Sequence, residues 1–335
     1  MIRKCVSVII PVYNQEKVIE RCINSVLNQT YKELQVIVIN DGSTDNTEKL
    51  LMPYLNRDPR LEIYHADNKG VSAARNYGLS LVKGEYIQFV DGDDYVSETL
   101  VEDMVTALET VHADMGVCNY YKLMGKWTVP NRALDRPGVY PAKDYLVRTI
   151  KDPGHHYYGV TWNKIYRTQI IRNYKIQFDV GVTLGEDFIF NLDYWSKCSI
   201  VRVISEKNYY YNRTNQTSLS FCRSPELQDC LKEYDNRKKI FAHYIEIMRQ
   251  IDQLETSYQD IYFYWFVFYI RQVDAFKNKY TSWSAQNIEQ WHNILNNDAY
   301  VQEALHVVKQ SKRKAYTIRY IIGQRIKNCV KKFMS

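Results

Sequence analysis

The chain has 335 residues, 45% of them hydrophobic and 24% charged, which excludes a disordered or fibrous protein and allows two compact units. Its 29 Tyr, 11 Phe and 6 Trp are enough for a large core with rings left for a ligand. The net charge of +6 is local: residues 309–335 carry nine Lys/Arg and no acid, so nothing suggests a basic nucleic-acid-binding face.

At the N-terminus, Met1 to Val6 leads into an apolar run too short for a secretory signal, and a cytosolic protein is expected. Val6-Ser7-Val8-Ile9-Ile10 reads as a buried strand bounded by Pro11. Val18, Ile19, Cys22, Ile23, Val26 and Leu27 then recur at helical spacing behind Asn14, read as the N-cap. Gln35 to Ile39 predicts a second strand, followed by the turn Asn40-Asp41-Gly42-Ser43 and a helix through Leu50 and Leu51. Leu61 to Tyr64 predicts a third strand, with a helix near 71–82. Tyr86 to Val90 predicts a fourth, a helix follows over 98–109, and Met115 to Cys118 predicts a fifth. This alternation implies right-handed βαβ crossovers: an α/β protein with a mostly parallel, Rossmann-like sheet flanked by helices.

In such sheets ligands bind beyond the carboxyl ends of the strands. The residues there are Pro11-Val12-Tyr13-Asn14, Asn40 to Asp45, His65 to Asn68, and Asp91-Gly92-Asp93-Asp94. No Gly-x-Gly-x-x-Gly follows the first strand and no Gly-Lys-Ser/Thr loop occurs, which argues against dinucleotide oxidoreductases and Walker-type NTPases. Three carboxylates within four residues, at Asp91 to Asp94, repel unless a cation or hydrogen bonds offset them. Hard divalent cations take such oxygens together with substrate phosphates, although Asp/Gly turns also occur as plain solvated turns. A second acidic pair, Glu186-Asp187, reads as a helix N-terminus that can aim a carboxylate into a cleft as a general base.

Pro11-Val12-Tyr13-Asn14, Val38 to Asp45, Gly70 to Gly78, Asp91-Gly92-Asp93-Asp94, Trp162-Asn163-Lys164 and Glu186-Asp187 occur in one order. Together they resemble glycosyltransferase family 2, inverting enzymes with the GT-A fold, of the bacterial surface-glycan type, over residues 3–220. The resemblance implies a nucleoside-diphosphate sugar donor, most often a UDP-sugar, and Mn²⁺ or Mg²⁺. It implies that Pro11 and Tyr13 meet the base, Tyr13 stacking on uracil, and that Asp41 hydrogen-bonds it. Asn68 and Arg75 fall where the family approaches the nucleotide and its phosphates. Asp91 would hold ribose or donor sugar and Asp93 the metal. Asp187 would be the catalytic base, with Glu186 beside it positioning sugar hydroxyls. Arg213 and Ser218 resemble a later stretch that closes over the diphosphate. The acceptor would be a hydroxyl of a glycan, lipid-linked or protein substrate. One base is enough, because a metal can stabilise the leaving diphosphate, whereas the usual glycoside hydrolysis takes two carboxyl groups. A nucleotidyltransferase and a non-catalytic nucleotide-sugar or glycan-binding protein are the competing readings.

Other residues have two readings. Trp162 suits an acceptor sugar or the core, and His155-His156 reads as a loop pair. Asp45 and Asp67 read as turn or cap residues. The seven scattered cysteines, without a Cys-x-x-Cys pair, read as reduced thiols rather than a zinc site. Strand signals fade near Pro225, so the catalytic domain is expected over 1–222 and a helical region over 223–335. The ring-dense segment 260–276 reads as a buried helix in the core, a dimer interface or an acceptor groove. Residues 309–335 form a basic amphipathic pattern that suits the inner face of an anionic membrane or a docked surface helix.

Overall fold

The computed structural model describes residues 4–131, 134–152, 155–182, 184–213, 227–265 and 284–310. Two compact units divide the chain. One comprises Met1–Tyr145 and His156–Phe221, the other Leu146–His155 and Cys222–Ser335.

The first unit is built on one sheet. Its strands are β1 (Val6–Val12), β2 (Leu34–Asp41), β3 (Leu61–Ala66), β4 (Tyr86–Phe89), β5 (Tyr95–Val96), β6 (Met115–Met124), β7 (Trp127–Pro130), β8 (Gly138–Pro141), β9 (Lys164–Arg167) and β10 (Ile200–Asn212). They run in the order β3-β2-β1-β4-β9-β6-β10-β5, with β7 on β6 and β8 on β10. The β-branched runs of β1 and β2 are buried along their whole length, as strands covered on both faces must be. The parallel sheet expected from the βαβ order is its first half, β3-β2-β1-β4. Beyond it the sheet is mixed: β9 lies antiparallel to both β4 and β6, and β10 is parallel to β6. Two reversals restore direction, so the carboxyl ends of β1, β2, β3, β4, β6 and β10 share one edge.

Helices α1 (Ile19–Leu27), α2 (Thr47–Leu55), α3 (Val71–Leu81) and α4 (Leu100–Val111) follow the early strands near their expected positions. Helix α3 packs on β1 and β2, and α4 on β6 and β10. Short helices α5 (Ala142–Arg148), α6 (His156–Gly159) and α7 (Thr168–Tyr174) precede α8 (Glu186–Lys197), which buries Phe188, Phe190, Leu192, Tyr194 and Trp195.

The second unit contains α9 (Leu227–Gln250), α10 (254–265), α11 (Ala285–Asn297) and α12 (Ala299–Gln310). Phe241 centres its core, with ring centroids 4.8 Å from Trp265, 5.1 Å from Tyr300 and 5.4 Å from Tyr262. Thr149, from the inserted segment, meets the Tyr244 hydroxyl at 3.0 Å. The described part of the ring-dense segment is therefore core: Ile261, Tyr262, Phe263 and Trp265 are buried. Residues 266–276, and 311–335 of the basic tail, lie outside the described residues. Among the described residues, no helix is long and apolar enough to cross a membrane.

Candidate active site

The first three strand ends build one wall. Pro11 still pairs opposite Ile39 and is buried, while Tyr13 stands 44% exposed. Asn14 is not the N-cap of α1. A turn over 15–18 intervenes, the cap is Val18, and Asn14 instead adopts φ +50° and joins the first loop to the second. Its N–H donates to Ser43 Oγ at 3.0 Å and its Oδ1 accepts the Thr44 N–H at 2.8 Å. Asp41 is buried and reaches the third loop, accepting the N–H groups of Lys69 (3.0 Å) and Gly70 (2.8 Å). Gly42 makes this approach possible: its φ is +72°, and a Cβ there would sit 3.0 Å from the Asn68 nitrogen. Asn68 itself is exposed beside it.

Arg75, on α3, gathers the acidic groups. It is 3% exposed, and its guanidinium lies over the Phe178 ring, 5.2 Å from the centroid. Phe178 stacks on Phe190 of α8 at 4.3 Å, and a reciprocal pair of 2.8 Å bonds between the Asn76 amide and the Phe178 backbone holds it there. From this platform Nη2 donates to Asp91 Oδ1 at 2.8 Å, while Nη1 donates to Asp187 Oδ1 at 2.7 Å and Glu186 Oε1 at 3.3 Å. The carboxylates enclosing the guanidinium raise its pKa despite its burial. The resemblance put Arg75 against the nucleotide and its phosphates. Here both Nη atoms face carboxylates, and the guanidinium holds the three acids together.

Glu186 and Asp187 open α8, as expected; Gly185, at φ +97°, supplies the sharp entry. The second oxygen of Asp187 accepts the Thr161 N–H at 3.3 Å. Burial pushes the Asp187 carboxyl up to about 7; Arg75 opposes this, and the like charges of Glu186 and Asp91 add to it.

The turn after β4 is locked from β10. Asp94 is fully buried and accepts the Tyr209 hydroxyl at 2.7 Å and the Asn212 N–H at 2.6 Å. Burial, with Asp93 and Asp91 nearby, raises its pKa well above the usual carboxylate range. The Asp93 carbonyl accepts Asn212 Nδ2 at 3.2 Å, and the Tyr209 hydroxyl also receives the Asp91 N–H. Within the turn, Asp94 is thus bound to β10 and Asp91 to Arg75. Among the described residues no three His, Cys, Asp or Glu side chains group as a metal cage. An all-oxygen turn fits the other mode, in which a hard divalent ion takes one or two carboxylates and completes its shell from substrate phosphates.

Arg213 is exposed just past β10, its N–H on the Leu123 carbonyl at 3.1 Å; Ser218 lies outside the described residues. Trp162 is packing: it is 2% exposed and stacks on Tyr209 at 4.2 Å. Thr161, Phe178 and Asn212 are not singled out by sequence, and Asn76 lies unremarked inside the 70–78 motif. Only the tyrosine-rich run at 209–211, ahead of Arg213, marks the strand that locks the acidic turn.

A sheet whose carboxyl edge presents a wall of strand-end loops, an acidic turn and a helix-borne carboxylate defines a GT-A scaffold. The glycosyl transferase family 2 model matches residues 7–175. The chain is 31% identical over 247 residues to the Bacillus subtilis (strain 168) uncharacterized glycosyltransferase EpsJ, covering 71% of this chain and 70% of that one. It is 30% identical to the Escherichia coli (strain K12) uncharacterized glycosyltransferase YibD, covering 76% and 72%. Among solved structures, Staphylococcus aureus TarS 1–349 in complex with UDP superposes with a TM-score of 0.70 at 23% identity, covering 95% of this chain and 88% of that one. The same TarS fragment is also known with UDP-GlcNAc. The chain belongs to glycosyltransferase family 2 and is a glycosyltransferase.

Proposed function

We propose that the enzyme transfers a sugar from a nucleoside-diphosphate sugar, a UDP-sugar, to a hydroxyl of a glycan, glycolipid or glycoprotein acceptor with inversion. The observation that carries this reading is the convergence of Asp91, Glu186 and Asp187 on Arg75, which gives Asp187 a fixed orientation, while burial pushes its carboxyl up to about 7. A base with a pKa near neutrality still takes a proton effectively there. The nucleotide would lie along Pro11, Tyr13, Asp41 and Asn68, with the exposed Tyr13 ring offered to the uracil. TarS, which shares the fold, binds UDP and UDP-GlcNAc, and this supports the uridine choice.

Asp91 would hold ribose or the donor sugar, and Asp93 would hold Mn²⁺ or Mg²⁺ against the diphosphate, with Arg213 and Ser218 closing from the β10 side. A bound divalent ion supplies charge stabilisation to a leaving diphosphate. Asp187 accepts the proton of the acceptor hydroxyl, whose oxygen attacks the anomeric carbon opposite the departing nucleotide, while Glu186 orients sugar hydroxyls. The test is incubation with a panel of nucleotide sugars and Mn²⁺. Release of nucleoside diphosphate, lost in Asp187→Asn, is expected; release of pyrophosphate, or binding without turnover across the panel, overturns the reading.

A further inference from the structure

Lys164 opens β9 and is fully buried. Among the described residues its Nζ is held by neutral oxygens: the carbonyls of Tyr157 (3.0 Å) and Val160 (2.5 Å) and Oδ1 of Asn163 (2.8 Å). Burying an ammonium without a carboxylate at its side is costly, so the arrangement calls for a return. Two more buried amides grip the same stretch. Asn163 Nδ2 donates to Tyr157 O, and Asn191 Nδ2 donates to the carbonyls of Tyr158, Gly159 and Val160. Every carbonyl from 157 to 160 is thereby taken by a side chain from β9, its approach, or α8. The next N–H in the chain, that of Thr161, is the donor to Asp187 Oδ2.

We infer that Lys164 is a positioning residue for Asp187, acting through the 157–161 segment whose Thr161 amide fixes the second oxygen of the base. This rests on the reading of Asp187 as the base. All three Nζ bonds require the ammonium, because a neutral amine has only two N–H groups to donate. Among the described residues, the groups around Nζ are Asp187 and the Trp195 face (5.9 Å) on α8, Cys118 on β6, the Tyr157 and Val160 carbonyls and Asn163 Oδ1. Burial pushes Lys164 down to about 7, with Asp187 and Cys118 opposing. Activity then needs Asp187 ionised and Lys164 protonated, which gives a bell-shaped kcat profile near neutrality.

The experiment compares wild type, Lys164→Met and Asp187→Asn with a UDP-sugar and Mn²⁺, following kcat and donor KM against pH. Lys164→Met is expected to keep the donor KM, lose kcat by roughly 10- to 100-fold through misplacement of the base, and lose the alkaline fall. A folded Lys164→Met with the kcat and pH profile of wild type overturns the inference. Should that variant not accumulate folded, wild type decides: a kcat that falls between about pH 7 and 9 supports the role, and a flat one overturns it. Asp187→Asn separates the two claims. Full activity there removes the base assignment, whereas a dead Asp187→Asn beside a wild-type-like Lys164→Met removes only the positioning role.

Discussion

Asp187 touches Arg75 through one oxygen and Thr161 through the other, so replacing the carboxylate by an amide changes its chemistry more than its shape. Asp187→Asn should retain donor binding and lose kcat by about 10²- to 10⁴-fold, read as nucleoside diphosphate released per enzyme. In the wild type, kcat/KM should rise with pH on the acid side of about 7, because only the ionised carboxylate takes a proton. Stability should move the opposite way. The folded carboxyl lies above its ordinary value of 3.8, so the unfolded chain releases this proton first; the contribution is complete below about 3.8 and lost as pH rises to about 7. Urea midpoints at pH 4 and 8 should show that slope in wild type and a smaller one in Asp187→Asn. Arg75→Ala strips the buried cation from three carboxylates and should destabilise by roughly 3–5 kcal/mol, measured as a lower Tm and urea midpoint.

Helix α3 carries Arg75 to the rim because Gly78, one turn later, lets it lie against β1. A Cβ at Gly78 would come 2.5 Å from Ile9 Cγ2. Gly78→Val should therefore lift α3, cost roughly 1–3 kcal/mol and reduce transfer together with Tm, whereas a substitution confined to the solvent face should do neither. The turn after β4 behaves differently. Its closure comes from Tyr209, Asn212 and Arg75, so excess EDTA should abolish transfer and leave the Tm of the free protein unchanged in a thermal melt. The first four strands and the acidic turn could be read directly from the chain, because Val, Ile and Phe runs end there in Asp, Asn and Gly. Strand β10 could not. Its thirteen residues include Glu206, Lys207 and Asn208, and irregular pairing near Lys207 hides the period of two. Lys164 was read only as part of a family motif: a lysine in a four-residue strand looks like a solvent residue until tertiary packing surrounds it. The meeting of Asp91 and Asp187 on Arg75 could not be read from the chain, since nothing local joins positions so far apart.

Across the whole molecule the chain crosses between its two units more than once, since 146–155 belongs with the helices that begin after Phe221. Ending the chain at Phe221 removes Tyr244 from Thr149 and separates that segment from its own unit. Such a shortened protein should melt below the full chain in calorimetry. An equal Tm would mean that the sheet unit folds without its helical neighbour. The double grip on Asp187 also has a bearing on redesign. An anchored carboxylate cannot swivel to greet a newcomer, so on the proposed role of Asp187 as the base any alcohol to be glycosylated would have to be carried to it at one fixed spot. On that reading, retargeting would be a question of reshaping the approach, while loosening the anchor would forfeit chemistry with every alcohol alike.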